Sequence, residues 1–187
     1  LEVIYDEFLK NGGTNLVYAC FTPYDNHKLD FVERAYSLKS SVAGGSDGGA
    51  HCGLICDASM PTTNLSHWAR DREAGKKIPI ELIVRKQTKD TAETYGLFDR
   101  GEIKTGMLAD LNIIDFENLN VTHPKMVYDL PMGGRRLIQN SFGYLATVKS
   151  GEVVYESGEA TGVLPGKLIR GKPVSYTHLT LPTTSKV

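Results

Sequence analysis

With 187 residues, the chain is long enough for one good-sized domain or one and a half small ones, with a real buried core. A formal net charge of −1 excludes strong attraction to nucleic acid, and no apolar run approaches the ~20 residues of a membrane span. Three cysteines, Cys20, Cys52 and Cys56, form an odd set without scaffold spacing, which argues for a reduced, cytoplasmic protein.

The chain opens on "LEVIYDEFLKNGG", with acidic residues where a signal peptide needs a basic region. Val3, Ile4, Phe8 and Leu9 stand near helical spacing, and Asn11-Gly12-Gly13 stops the helix. There is no initiator Met, so a piece of a longer chain is expected. "NLVYACF" (15–21) reads as a strand, followed by turn residues at Pro23 and Asp25-Asn26. "HKLDFVERAYSL" (27–38) places Leu29, Val32, Ala35 and Tyr36 on one helical face, and "SVAGG" (41–45) reads as a short buried strand. This alternation predicts parallel strands covered by helices.

Two helical stretches follow. "TTNLSHWARDREAG" puts Leu65, Trp68 and Ala69 on one side, with Thr62 as a candidate cap. "PIELIVRKQTKDTAETYGL" (79–97) begins at Pro79 and predicts one helix ending at Gly96. After Leu97 the pattern turns to strand: Gly101 and Gly106 mark turns, "ADLNIIDF" (109–116) is apolar, and Leu145–Val148 with Val153–Tyr155 flank a turn at Ser150-Gly151. The tail "VSYTHLTLPTTSKV" (174–187) resembles translated sequencing-adapter read-through, or else is a native disordered or weakly stranded terminus.

Residues 42–51, "VAGGSDGGAH", set one carboxylate among four glycines where an apolar run ends. Asp47 reads as a turn residue flanked by glycines. It also reads as an active-site carboxylate at a strand's carboxyl end, where a bare surrounding admits a metal, water or substrate. A phosphate-cradling loop is disfavoured, because neither full glycine-rich fingerprint is present.

Three stretches bear on that choice: "SDGGAHCGLICDASMPTTNLSHWARDR" (46–72), "GLFDRGEIKTGMLADLNIIDFENL" (96–119) and "DLPMGGRRLIQNSFGYLATVKSGEVVYESGEATGVLPGKLIRG" (129–171). Together they resemble the N-acyl-D-amino-acid deacylase (D-aminoacylase-like) branch of the amidohydrolase superfamily. "GEIKTGMLADLNIIDF" is typical of amidohydrolases generally; "SDGGAH" and "LPGKLIRG" point to this branch.

The resemblance implies an α/β protein: the C-terminal part of a TIM-like (β/α)8 metal-dependent hydrolase barrel (1–97), then a small β-sandwich-type domain (98–171) and the tail (172–187). It implies zinc and an N-acyl amino acid as small-molecule substrate, while the charge balance and the lack of a long apolar run argue against nucleic-acid and membrane partners. It assigns Asp47 as metal ligand and as the group that carries a proton from the attacking water to the leaving amine. Zinc would lower the pKa of its water toward ~7. The family's His-x-His pair does not occur in the sequence, so these residues alone are expected not to assemble the metal site or to turn over substrate. An incomplete barrel would also leave open sheet edges and an exposed apolar face, with poor stability in isolation.

His51 is a candidate substrate-binding residue, or a structural loop histidine. His67 is expected to pack and cap. Cys52 and Cys56 make poor zinc spacing and read as free buried thiols. Arg70, Asp71 and Arg72 read as an ion-pair cluster, with substrate-carboxylate binding by Arg70 as the alternative. "GGRRL" (133–137) reads as a turn or subunit contact. A cyclic amidase of the dihydropyrimidinase type and a non-catalytic binding module are the rival functions.

Overall fold

A computed structural model describes residues 2–13, 15, 17, 28–43, 45, 46, 48, 49 and 51–170. Helix α1 spans Glu2–Gly13, and Asn11 (φ 52°) and Gly12 (φ 70°) end its regular part, as the Asn-Gly-Gly run predicts. None of its residues is buried; Val3, Ile4, Tyr5, Phe8 and Leu9 all face outward. Helix α2 (Asp30–Ser37) turns Val32 and Tyr36 inward and closes with the Leu38 N–H on the Ala35 carbonyl.

Helix α3 (Met60–Thr63) continues directly into a π-helical segment, Asn64–Asp71. Its wide turn closes with the Arg72 N–H on the His67 carbonyl, five residues back, at 2.8 Å. The segment buries Leu65, Ser66 and Trp68 on one side. The single helix expected over 79–97 is instead two, α4 (Ile80–Gln87) and α5 (Lys89–Thr94). The break falls at Thr88 (φ −118°, ψ −86°). There the β-branched hydroxyl donates back to the Val84 carbonyl at 2.7 Å, completing one helix before the next starts.

The strands are β1 (Leu111–Ile114), β2 (Asn120–Val121), β3 (Lys125–Leu130), β4 (Gly134–Ile138), β5 (Ser141–Phe142), β6 (Tyr144–Lys149), β7 (Glu152–Glu156) and β8 (Glu159–Ala160). They form a four-stranded sheet in the order β1-β6-β7-β8 and two ribbons, β2-β5 and β3-β4. Every pairing among the described strands is antiparallel. Ser150 (φ 54°) and Gly151 (φ 87°) form the predicted β6-β7 turn, with the two positive torsions that match strand twist.

The expected barrel strands fall at 15–21 and 41–45. Of these, residues 15, 17, 41–43 and 45 are described, and none lies in a ladder. What the described residues show is a mixed helix-and-strand fold; one sheet with two ribbons takes the place of the expected pair of packed sheets.

The core joins the two kinds of structure. Leu65, Trp68, Ile78, Ile83 and Leu119 are its buried centre, with Val32 and Tyr36 of α2, Ile114 of β1 and Tyr144 of β6 packed around it. Ile83 and Leu119 are fully buried, and each such side chain contributes roughly 2 kcal/mol of transfer free energy.

Candidate functional site

The glycine-rich segment connects α2 to α3, and its flanks are fixed on both sides. Before it, the Ser41 hydroxyl donates to the carbonyls of Ala35 and Leu38. Lys86 of α4 is 3% exposed, and its ammonium donates to the Leu38 carbonyl at 2.7 Å and the Ser41 carbonyl at 2.5 Å. Asp90 Oδ2 lies 3.5 Å from the same nitrogen. A buried cation held by two backbone oxygens and a carboxylate is stable only because all its donors are used. Lys86 falls within the helix predicted over 79–97, where a lysine at core spacing was the available signal.

After the segment, the backbone turns at His51 (φ 45°), whose carbonyl accepts from the N–H of Leu54 at 2.7 Å and of Ile55 at 2.9 Å. The Cys52 carbonyl accepts from the Leu137 N–H of β4 at 2.7 Å. Ser59 hydrogen-bonds Gln139, just past β4. Thr62 shares a 2.8 Å hydrogen bond with the hydroxyl of Tyr144. The segment thus runs from a helical anchor to a strand anchor.

Asp47, the residue singled out as catalytic and metal-binding, lies outside the described residues, as do Cys20, His27 and His178. His51 is described, and its side chain is exposed. Among the described residues no group of three or more His, Cys, Asp and Glu side chains is placed to hold a metal ion. They therefore bring together no ligand set for the zinc that the resemblance implies. Cys52 and Cys56 are free and half-buried. Burial, then the nearby Asp57 charge, pushes the Cys56 thiol up, so it stays protonated at neutral pH, as a structural thiol does. His67 is exposed and stands edge-on to Trp68, ring centroids 5.4 Å apart.

Arg70 is not free for a substrate carboxylate. Its guanidinium pairs with Asp71 at 2.6 and 2.8 Å and donates to the carbonyls of Phe116, Glu117 and Leu119. That hydrogen bond holds the Asp71 carboxyl below its ordinary range. Arg72 is 4% exposed, stacks 4.4 Å over the Trp68 ring and reaches Asp30 at 2.7 Å. The predicted ion-pair cluster is present, and it ties the π-helical segment to the segment between β1 and β2 and to α2.

A model of the amidohydrolase family matches residues 27–155. Among solved structures, one of D-aminoacylase, described as defining a novel subset of amidohydrolases, is 26% identical at a TM-score of 0.41. That match covers 55% of this chain and 19% of the other, so the chain spans about a fifth of that protein's length. No curated protein sequence matches this chain. No helix among the described residues is long and apolar enough to cross a membrane.

Proposed function

From the premise that the chain belongs to the amidohydrolase family, we propose that it serves hydrolysis of a carbon–nitrogen bond outside peptides, the amide of an N-acyl-D-amino acid. The observation that supports this reading is the family match over residues 27–155, which spans the glycine-framed Asp47 and both anchors of its segment. The "SDGGAH" and "LPGKLIRG" stretches supply the choice of substrate class.

In this reading Asp47 is the carboxylate of the reaction. It accepts a proton from the attacking water as the water oxygen bonds to the amide carbonyl carbon. It returns that proton to nitrogen as the carbon–nitrogen bond breaks, releasing a carboxylic acid and a free amino acid. The flanking glycines leave room for water and substrate to approach it. Residues 1–97 would belong to the barrel and 98–171 to a β-rich domain, and zinc is the metal we assign to the enzyme.

The test uses the gene product at its full encoded length, assayed with N-acetyl-D-amino acids in the presence of zinc. Asp47→Asn is expected to lower kcat by about 10³-fold while the melting temperature stays within error. An Asp47→Asn rate equal to wild type, or preferential cleavage of hydantoins and dihydropyrimidines, would overturn the reading. The 187 residues by themselves are expected to show no turnover.

A further inference from the structure

We propose that Met132, at the tip of the β3-β4 ribbon, is a site of reversible oxidation, its thioether taking an oxygen atom from a peroxide before the chain's other methionines react. The chain carries four methionines, and only their surroundings tell them apart. Met132 is wholly exposed, at 104%. Met60, at the start of α3, is 39% exposed, and Met107 and Met126 are half-buried. Met126 stands on the same ribbon, paired across it with Leu137, so the ribbon itself offers one open thioether and one shielded one.

The turn holds that exposure in place. Met132 sits at φ 61° and ψ 24°, followed by Gly133 at φ 72°. A side chain keeps such a left-handed torsion only where the surrounding chain fixes it. Here the Gly134 N–H closes the turn on the Pro131 carbonyl, Leu130 pairs with Gly134, and Arg136 braces the strands through a two-pronged pair with Asp129 at 2.7 and 2.6 Å. A β-carbon on Gly133 would meet nothing within 4 Å, so the space next to Met132 is open. A thioether is polarizable and reacts without first losing a proton, so access to the sulfur sets its rate. One peroxide oxygen bonds to the sulfur as the oxygen–oxygen bond breaks. The sulfur gives up two electrons, and with hydrogen peroxide the second oxygen leaves as water. The product is a polar sulfoxide, which methionine sulfoxide reductases return to the thioether.

The test treats the gene product at its full encoded length with hydrogen peroxide and follows the gain of oxygen at each of these methionines by peptide mass mapping. Met132 is expected to oxidise about 10-fold faster than Met107 and Met126, with Met60 between them. In urea sufficient to unfold the chain, the four should react within about twofold of one another, because the ranking comes from the fold. Met132→Leu should remove the fast step and leave the other three rates unchanged. Methionine sulfoxide reductase should restore the thioether. Protein oxidised at Met132 alone should keep its melting temperature, since that side chain is not packed. Equal rates in the folded protein, a faster Met107 or Met126, or a ranking that survives unfolding would overturn the proposal.

Discussion

Gly106 (φ +90°) and Gly143 (φ +95°) share a backbone torsion that side chains avoid, yet their surroundings are opposite. A β-carbon at Gly106 meets nothing within 4 Å. One at Gly143 would stand 2.7 Å from Leu119 Cα and 2.9 Å from its nitrogen, which are backbone atoms beside a fully buried side chain. Gly106→Ala is expected to cost about 1 kcal/mol of torsional strain, and Gly143→Ala about 3 kcal/mol or more, because backbone must move as well. Urea unfolding of the two variants checks this; equal losses would show that the Gly143 neighbourhood yields freely. The turn at Gly106 was legible in the sequence. The close approach at Gly143 was not, since it depends on a segment more than twenty positions earlier in the chain.

At the scale of elements, local pattern located the described helices and strands β1, β6 and β7, but not β2 to β5 or β8, nor where the helices break. The α4–α5 break falls at the non-helical torsions of Thr88 (φ −118°, ψ −86°), and apolar spacing alone reads through it. The π-helical turn at Asn64–Asp71, closed by the Arg72 N–H on the His67 carbonyl, is likewise not marked by apolar spacing. Arg70 shows what contacts between segments do: one side chain in the π-helical stretch satisfies carbonyls of Phe116, Glu117 and Leu119 and lies 5.5 Å over the Phe116 ring. Removing it leaves those acceptors short of a donor. Arg70→Ala is expected to lower unfolding free energy by about 2 kcal/mol, read as a shift of the urea midpoint at constant slope. A change below measurement error would mean that water replaces the arginine at no cost.

Across the whole molecule, carboxylates paired with cations set the response to acid. Hydrogen bonds from Arg70, Arg85, Arg100, Asn118 and Arg136 hold Asp71, Asp90, Asp99, Asp115 and Asp129 below their ordinary values, and Lys89 does the same for Glu102. At Asp110 burial alone would raise the value, but Lys149, the Ser150 N–H and Arg100 together outweigh it and lower it. Each folded-state value lies below its unfolded one, so this stability is fully present above the unfolded carboxylate range. It is lost as pH falls through the folded values. Unfolding free energy should therefore be level between about pH 7 and 5 and decline below about pH 4, with a shallower decline in Asp110→Asn. Stability rising on acidification would contradict the ion-pair geometry.

The sequence by itself determined the turns at Gly101 and Gly106, the inward face of α2, the β6-β7 hairpin and the family motifs, because each is written in nearby residues. The tertiary structure decided which acceptors each charge meets. Arg70 and Arg72 are the same residue type in the sequence, but a guanidinium's partners depend on acceptors brought from distant segments. The placement of Lys86 was settled the same way: its acceptors lie more than forty positions earlier, and only the folded chain brings them within reach.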